Sequence, residues 1–468
     1  MNRLKNHRYI FLLLSVAILI AIKIPHLGFP FSWDEAWSYY QAILKMAENG
    51  PTLLPGNIEL IDSRGHPLLF YFVSSVWINI VPGVTIFTRI LPLLISVAVL
   101  IVFHQMLQKH TNPKVAAIST LILSVQSLFL AQASLLLPEM MLTLWLILSL
   151  QFYLERRFWW FAFTGTLMVL TKETGVFFAG VFGLVYIFEN STQYKTRQFW
   201  IKGMILAVPL MVYGVFLLLH ARAYGTFFFT EHFDYIYDES NRIISKLKSA
   251  SSNLTTRYGR NTLSAAVLIS LVWLTIKKHK SDNIRFLLIS FVLIVSLIAF
   301  SVVNFFTHRY MLPAIPLFIA FSVSLIYSAF GKRVWIFAGI AVVIFFTTFI
   351  YSMTKMGKID NDLGYTQYLK VHQELVNWCE ENQKYDEKIS SGFNMVLALR
   401  DNFNGYLSTE RGFKTEHLPI TENSGIIIWD STCTEADLPR GFPESWEKVF
   451  RTTNKKHWGE IYLRKEDN

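Results

Sequence analysis

Long apolar runs separated by short polar segments dominate residues 1–356. A run of about 20 apolar residues is long enough to cross the hydrocarbon core of a bilayer as a helix. Eleven runs, some of them shorter, are predicted to span: 9–27, 84–104, 114–133, 135–154, 158–171, 174–189, 200–220, 261–276, 286–304, 310–329 and 333–353. The pattern therefore predicts an all-α polytopic membrane protein with about eleven transmembrane helices.

The run 67–81 is ambiguous, because a twelfth span would reverse the direction of every later helix. Lys and Arg concentrate in cytoplasmic loops. If 67–81 lies in the interface, fifteen Lys and Arg fall on one side, and only the loop 221–260, with six, departs from the rule. We therefore expect an interfacial 67–81 and a cytoplasmic N-terminus. Arg3, Lys5 and Arg8 precede an apolar run without a cleavage site, so the first helix is expected to be retained.

The character of the sequence changes after residue 356. Residues 1–356, the predicted transmembrane domain, hold 29 basic and 14 acidic residues, whereas 357–468 hold 14 and 19. The predicted topology places 357–468 outside the cytoplasm, on the same side as the long loops 28–83 and 221–260. Its patterning predicts a small α/β domain with a helix at 363–383 and strands at 388–391, 404–408, 424–430, 446–452 and 458–464.

Composition supports this assignment, since 53% of the 468 residues are hydrophobic and only 16% are charged. Such values exclude an ordinary cytosolic enzyme and a disordered chain. The net charge of +10 resides in the membrane part, where it suits phosphate or lipid headgroups. No basic stripe with interleaved aromatics indicates nucleic acid. Cys379 and Cys433 fit one disulfide or two unpaired thiols equally well.

The first predicted outer loop opens with SWDEAWSYYQA, in which Asp34 and Glu35 are adjacent acids just beyond a membrane helix. One interpretation is a general base at the water–lipid boundary, tuned by partial burial. The other is a capping box between Ser32 and Glu35. The spacing alone does not decide between them. Three aromatic side chains suited to stacking on sugar faces flank the pair: Trp33, Trp37 and Tyr39.

Several further charged residues map to the same predicted face. Glu139 begins a later helix, and six residues could bind a phosphate at headgroup depth: Arg64, His66, Arg89, Lys172, His308 and Arg309. Each alone has an ordinary explanation as a solvated loop residue, a snorkelling anchor or a local ion pair. Together, acids that activate a hydroxyl and cations that neutralise a phosphate leaving group predict an enzyme acting on a phosphorylated lipid.

Other chemistry finds no support in the sequence, which has no phosphate-binding loop, HExxH, GxSxG or Cys/His zinc spacing. Two further classes stay open. A lipid-linked-sugar transporter or flippase would need a polar pathway across the membrane, and Lys23 and Arg89 are the only deeply placed charges. A non-catalytic lipid-binding assembly protein is the third interpretation.

The ordered segments SWDEAWSYYQA, GHPLLFYF, TRILPLLISV, LPEMMLTLWL, LTKETG and HRYMLPAIPL resemble the C-type (GT-C) glycosyltransferase superfamily. Within it, the sequence is most similar to the group of protein O-mannosyltransferases and lipid A aminoarabinose transferases. The likeness covers most of residues 1–330, and the tail resembles extracytoplasmic domains of some bacterial members. One departure is Pro67–Leu68, where the family motif has two prolines.

The resemblance implies a catalytic first outer loop, a polyprenyl-phosphate sugar donor and inverting transfer to a protein, lipid or glycan acceptor of the cell envelope. It places the base at Asp34, the second acid at Glu139, and phosphate-binding cations at His66 and Arg309. It also implies an integral protein of the bacterial inner or plasma membrane. An ionised phosphate leaves without a general acid, so no metal or other cofactor is required, although a divalent cation at the acids stays open.

Overall fold

The computed structural model describes residues 9–231, 242–278, 283–355, 357, 360–418, 424–433 and 445–465. The predicted N-terminal cations Arg3, Lys5 and Arg8 and the middle of the predicted loop 221–260 lie outside these described residues. The described chain is mostly helical and ends in a small sheet domain.

Sixteen α-helices precede the sheet domain in the described residues. They are α1 Ile10–Lys23, α2 Gln41–Asn49, α3 Leu60–Ser63, α4 Leu69–Ile80, α5 Thr85–His110, α6 Pro113–Ser124, α7 Ser127–Gln132, α8 Glu139–Leu154, α9 Phe158–Thr171, α10 Thr174–Glu189, α11 Arg197–Tyr224, α12 Ile243–Thr255, α13 Asn261–Lys277, α14 Ile284–Val303, α15 Ala314–Phe330 and α16 Val334–Thr354. The all-α character of this part is confirmed.

Four of the described helices, α5, α11, α14 and α16, are long and apolar enough to cross a membrane. Eight shorter apolar helices of 10–17 residues accompany them. The predicted run 114–133 is divided between α6 and α7, with Gln126 at the break. The run 67–81 forms the 12-residue helix α4. The count of eleven spans and the interfacial position of 67–81 stay predictions.

Local sequence explains where several helices begin and how closely they pack. Asn112 caps α6 by accepting the Lys114 N–H, and Pro113 occupies the first helical position, where its missing N–H does no harm. Gly165 of α9 faces Pro209 of α11, and a Cβ at Gly165 would lie 2.8 Å from the proline ring. A glycine at this contact therefore allows the two helices to approach closely.

The C-terminal region contains helices α17 Tyr365–Glu381 and α18 Phe393–Arg400 and strands β1 Lys388–Ser391, β2 Lys414–His417, β3 Ile426–Asp430, β4 Trp446–Asn454 and β5 His457–Arg464. The strand order is β2–β1–β3–β5–β4. β1 is parallel to β2 and β3, and β5 is antiparallel to β3 and β4. α17 packs on β5, where a Cβ at Gly459 would lie 2.5 Å from Leu375.

The predicted α/β character of the C-terminal region is confirmed, including its first helix, the strands at 388–391 and 424–430, and the closing hairpin. The predicted strand 404–408 is wrong. Asn402–Asn404 form a 3-10 turn that ends on Gly405 with a φ of 83°, a backbone conformation that favours glycine and interrupts a strand. β2 occupies the edge position instead, and the sequence pattern did not predict α18.

Candidate active site

The loop after α1 gives its two adjacent acids different partners. Trp33 has a left-handed backbone with a φ of 53°, and its N–H donates to Asn394 Oδ1 at 3.2 Å. A π-helical turn over Glu35–Tyr40 follows. Such turns are rare and are frequently found at functional sites. This local geometry directs the Asp34 carboxylate to Arg309 and the Glu35 carboxylate into the helix bundle.

Glu35 is buried against Arg89 of α5, whose guanidinium donates to it at 2.8 and 3.0 Å. Glu35 also accepts the Leu136 N–H at 2.7 Å. The capping-box interpretation is therefore wrong, because the Glu35 carboxylate bonds these groups and Ser32 Oγ bonds the Tyr368 hydroxyl at 2.8 Å. Glu35 ties the first loop to the bundle.

Arg89 uses all five of its N–H donors within the protein. Besides the two bonds to Glu35, it donates to the carbonyl oxygens of Phe29, Pro30 and Ser134 at 2.8–3.0 Å. Its side chain is 1% exposed. The predicted contact of Arg89 with a phosphate would require this arrangement to open, and it stays a prediction.

Four of the predicted site residues meet at one end of the helix bundle, where a fifth charged residue joins them. We call this set the charged cluster: Asp34, Glu139, Lys172, Arg309 and Asp360. The Arg309 guanidinium contacts Asp34 in a short ion pair, Asp360 at 3.0 Å and Glu139 at 3.3 Å. Lys172 Nζ donates to Glu139 Oε1 at 2.7 Å. Arg309 is therefore the hub of the cluster.

Each member of the charged cluster lies at or just beyond a helix end. Glu139 is the first residue of α8, and Lys172 follows α9 directly. Arg309 belongs to a 3-10 turn, His308–Met311, that precedes α15. Asp360 lies between α16 and α17. Charges at helix ends avoid the cost of a position in the middle of the bundle, and these ends together form one face.

Asp34 is the most accessible acid of the charged cluster, with 29% of its side chain exposed. The Trp37 Nε1–H donates to its other oxygen at 3.2 Å. Burial acts to raise the pKa of Asp34, but the Arg309 guanidinium, with help from Trp37 and Lys172, holds this pKa below its usual value. Asp34 is therefore an ion-paired carboxylate, and loss of the Arg309 contact would strengthen it as a base.

Asp360 has the opposite electrostatic balance. Burial raises its pKa above the usual value although Arg309 favours the charged form, and the negative charges of Asp34 and Glu139 add to the rise. Its side chain also receives a longer contact of 3.5 Å from Gln132 Nε2. The charged cluster therefore contains two aspartates on one guanidinium, with pKa values displaced in opposite directions.

The C-terminal region packs directly on the first loop. Tyr365 accepts a hydrogen bond of 3.0 Å from the buried Lys23, and Asn404 O accepts the Phe31 N–H at 2.8 Å. The Phe393 ring meets the rings of Trp33 and Trp37 edge-on, with centroids 5.9 and 5.4 Å apart. These contacts make the C-terminal region one wall of the site.

Arg64 and His66 lie beside the charged cluster, and each has its own partner. The Arg64 guanidinium stacks over the Trp37 ring at 3.4 Å from the centroid. His66 Nδ1 lies 2.7 Å from Glu173 Oε1, and its ring stacks on Tyr39. Burial acts to raise the pKa of Glu173, but His66 holds this pKa at about 2. Arg64 is therefore linked to Asp34 through Trp37, whose indole N–H donates to the Asp34 carboxylate.

His308 lies away from the charged cluster, although Arg309 is its neighbour in sequence. Its ring nitrogens lie 3.1 Å from Ser249 Oγ and 3.3 Å from Asn361 Nδ2. Burial and the nearby Arg257 lower its pKa, which favours a neutral ring. A neutral His308 attracts a phosphate less than Arg309 does.

A narrow crevice of about 10 Å³ opens onto the charged cluster and is lined by Ser32, Trp33, Asp34, Glu35, Leu135, Leu137, Arg309, Asp360, Tyr365 and Tyr368. This volume holds about one water molecule. A larger, open cleft of about 520 Å³ lies between the first loop and the end of α11, lined in part by Lys45, Asp62 and Tyr224, and includes no member of the charged cluster. Asp34, Asp360 and Arg309 line the crevice and not the cleft, so the crevice is the candidate site.

Sequence reasoning missed Asp360, Tyr365 and Tyr368. A signal was present, since the segment DNDLGYTQY follows the last predicted span by only a few residues, much as the first acid pair follows the first span. The patterning of the tail as a separate α/β domain gave no reason to connect this segment with the first loop, more than 300 residues earlier.

No family model matches the sequence, and no curated protein sequence matches it. Solved structures do match. ArnT from Cupriavidus metallidurans bound to undecaprenyl phosphate is 13% identical, with a TM-score of 0.55 over 96% of this chain and 97% of that chain. Archaeal oligosaccharyltransferase AglB from Archaeoglobus fulgidus, in complex with an inhibitory peptide and a dolichol-phosphate, is 13% identical, with a TM-score of 0.52 over 97% and 74%. An A. fulgidus oligosaccharyltransferase complex with Zn and sulfate is 12% identical, with a TM-score of 0.54 over 96% and 72%. The predicted GT-C fold is confirmed.

The neighbour solved with Zn and sulfate prompts the question of whether a divalent cation fits here. Among the described residues, no group of three or more His, Cys, Asp or Glu is arranged to hold a metal ion. The carboxylates of Asp34, Glu139 and Asp360 converge on the Arg309 guanidinium, and Lys172 also contacts Glu139. Arg309 lies between the three acids and Lys172 pairs with one of them, so this arrangement does not fit a metal.

Proposed function

We propose that this protein is an inverting glycosyltransferase that moves a sugar from a polyprenyl-phosphate donor to an acceptor hydroxyl at the extracytoplasmic membrane face. The observation that supports this most is the charged cluster, in which Arg309 joins Asp34 to two further acids at the end of a membrane helix bundle. A guanidinium suits a phosphate, and a partly exposed carboxylate beside it suits an attacking hydroxyl. The neighbours solved with undecaprenyl phosphate and a dolichol-phosphate add support by analogy of fold.

The proposed step is one in-line displacement at the anomeric carbon of the sugar. The acceptor oxygen forms the new bond to this carbon, and its proton passes to Asp34. The bond between the carbon and the phosphate oxygen breaks, and its electron pair leaves with the polyprenyl phosphate. Arg309 and Lys172 stabilise the charge on the departing phosphate. The products are a glycosylated acceptor of inverted configuration and a polyprenyl phosphate.

The remaining predicted residues keep supporting roles in this proposal. Glu139 orients Lys172 and Arg309, whereas Glu35 and Arg89 hold the loop that presents Asp34. Arg64 extends the positive lining toward the lipid headgroups, with His66 beside it, whereas the neutral His308 lies apart from the cluster and orders Ser249 and Asn361. Trp33, Trp37 and Tyr39 form the predicted sugar-stacking set, of which Trp33 is the most exposed, so we assign the stacking contact to Trp33 first.

The topology completes the proposal. We place the N-terminus in the cytoplasm of a bacterial inner or plasma membrane and residues 357–468 outside it, as a domain distinct from residues 1–356. The positive-inside distribution supports this orientation. The sugar is a hexose or a pentose, and the acceptor is a protein, lipid or glycan of the cell envelope.

An in vitro transfer assay tests the proposal. Purified protein in detergent receives a panel of radiolabelled polyprenyl-phosphate sugars and a membrane-extract acceptor, beside Asp34→Asn. Glu48→Gln is the matched control, because Glu48 is an exposed carboxylate of α2 outside the charged cluster. We expect label to move to acceptor with the unaltered protein and with Glu48→Gln, but not with Asp34→Asn.

Two other outcomes favour the alternatives. Saturable donor binding without transfer favours a non-catalytic lipid-binding assembly protein. Movement of intact lipid-linked sugar across a vesicle membrane, without transfer, favours a flippase. Transfer by Asp34→Asn at the unaltered rate would refute the catalytic role of Asp34.

A further inference from the structure

One guanidinium joins two segments that are far apart in sequence. Arg309 contacts Asp34 of the first loop and Asp360 of the segment that connects α16 to the sheet domain. The two carboxylates use different nitrogens, with Nη2 on Asp34 and Nη1 on Asp360. Both aspartates line the same crevice. Arg309 can therefore release one of them while it keeps the other.

A base that is ion-paired to a guanidinium is held in its charged form, which lowers its affinity for a proton. Asp34 is in this state, because its carboxylate lies against Arg309. A phosphate that arrives at the crevice competes with Asp34 for the same N–H donors, since guanidinium binds phosphate and carboxylate with similar geometry. Donor binding and release of the base are thus linked through Arg309.

We propose that Asp360 is a positioning residue of the transfer reaction, which retains Arg309 on the Nη1 side while the donor phosphate displaces Asp34 from Nη2. This inference rests on the proposed function. It gives the C-terminal region a part in the site, and it makes the release of the base depend on the presence of donor. An unliganded enzyme then keeps Asp34 paired and a poor base.

The neighbouring Asp362 shows why the contact of Asp360 is not needed to shape this segment. Asp362 accepts the N–H groups of Gly357 and Gly364 at 2.8–3.0 Å and so fixes the turn before α17. The Asp360 carboxylate instead contacts Arg309 and Gln132, both from the helix bundle. Asp362 therefore stabilises the local turn, and Asp360 makes the contact with the charged cluster.

The charged and titratable groups that face the Asp34–Arg309–Asp360 bridge come from every element packed around it. They are Glu35, Tyr39, Tyr71, Arg89, Glu139, Lys172, Tyr310, Asp362, Tyr365 and Tyr368. Among them, Glu139 also contacts Arg309 and remains in an Asp360 variant. Removal of the Asp360 charge leaves Arg309 with Asp34 and Glu139 alone, which strengthens its hold on Asp34 and lowers the pKa of the base in the donor complex.

The experiment compares Asp360→Asn with the matched control Asp362→Asn in the transfer assay, at saturating donor and across a range of pH. For Asp360→Asn we expect kcat to fall about 10-fold, which is less than the roughly 100-fold or more that a general base contributes, because Asp34 itself is retained. We also expect the acid limb of the kcat profile to move to lower pH, by about one unit for a tenfold change in proton affinity. KM for the donor should rise, because the phosphate then competes with a more tightly held Asp34 for the Nη2 side of Arg309.

Asp362→Asn should leave the acid limb where it is in the unaltered protein. Asp360→Glu, which restores the charge, should recover the position of the acid limb, and thermal unfolding in detergent confirms that each variant is folded. An Asp360→Asn variant with unchanged kcat and acid limb, beside an inactive Asp34→Asn, would overturn this inference alone. So would equal losses in Asp360→Asn and Asp362→Asn with no shift of the limb. Absence of transfer by the unaltered protein would overturn both this inference and the proposed function.

Discussion

Arg89→Met should destabilise the protein and leave donor binding by the folded fraction unchanged. Arg89 neutralises Glu35, which is 3% exposed at its side chain, and satisfies three backbone carbonyl oxygens. Removal of one partner of a buried ion pair costs about 3–5 kcal/mol, because the other charge stays buried without compensation. Burial already raises the pKa of Glu35 despite Arg89, so Glu35 should take up a proton more readily in the variant. The loss of stability should therefore shrink as pH falls.

The assay is thermal or denaturant unfolding in detergent, followed by tryptophan fluorescence, with the KM for donor measured on the same samples. Arg222→Met is the control, since Arg222 is an exposed arginine near the end of α11. The double variant Arg89→Met/Glu35→Gln removes both charges. Its loss in free energy of unfolding should therefore be smaller than the sum of the losses in the two single variants. If Arg89→Met keeps normal stability and raises the KM for donor, Arg89 is the phosphate ligand that the sequence predicts, and the anchoring role is refuted.

Three further predictions concern the charged cluster. Arg309→Lys should abolish transfer in the radiolabel assay while the protein stays folded, because the single nitrogen of an ammonium cannot replace the two separated Nη groups that hold Asp34 and Asp360; a rate within about tenfold of the unaltered protein would contradict this. The pKa of Asp34 lies below its usual value in the folded state, so its ion pair should stabilise the protein above about pH 4 and lose this effect as pH falls through the lowered pKa. The difference in thermal stability between the unaltered protein and Asp34→Asn should therefore become smaller between about pH 5 and about pH 3. A difference that stays constant over this range would refute the Asp34–Arg309 ion pair. Chelation of divalent cations with EDTA should leave transfer unchanged, because Arg309 pairs with all three acids and Lys172 pairs with Glu139; loss of transfer that added metal restores would contradict the assigned role of these two side chains.

Sequence reasoning reached much of the site through topology. Asp34, Glu139, Lys172 and Arg309 were predicted to share one face because each follows or precedes an apolar run, and the structure brings them into contact. Helix ends of a bundle are few, so charges at these ends meet even when the helix order in space is unknown. The GT-C fold followed from the same segments.

The remaining details depend on geometry that no spacing records. A left-handed Trp33 and a π-helical turn decide that Asp34, and not Glu35, meets Arg309. Contacts between the tail and the first loop are equally invisible to periodicity, which is why Asp360 was missed. His308 and Arg309 are adjacent in sequence, yet a 3-10 turn separates their side chains.

The docking of the C-terminal region on the first loop also orders events during biosynthesis. A ribosome makes Ser32 and Trp33 early, but their partners Tyr368 and Asn394 follow 336 and 361 residues later. These contacts cannot form until the later segment has been made, and contacts this distant in sequence form slowly. The acids of the first loop therefore sit in an unfinished environment for most of translation. The charged cluster is complete only when the segment that carries Asp360, Tyr368 and Asn394 folds onto the first loop.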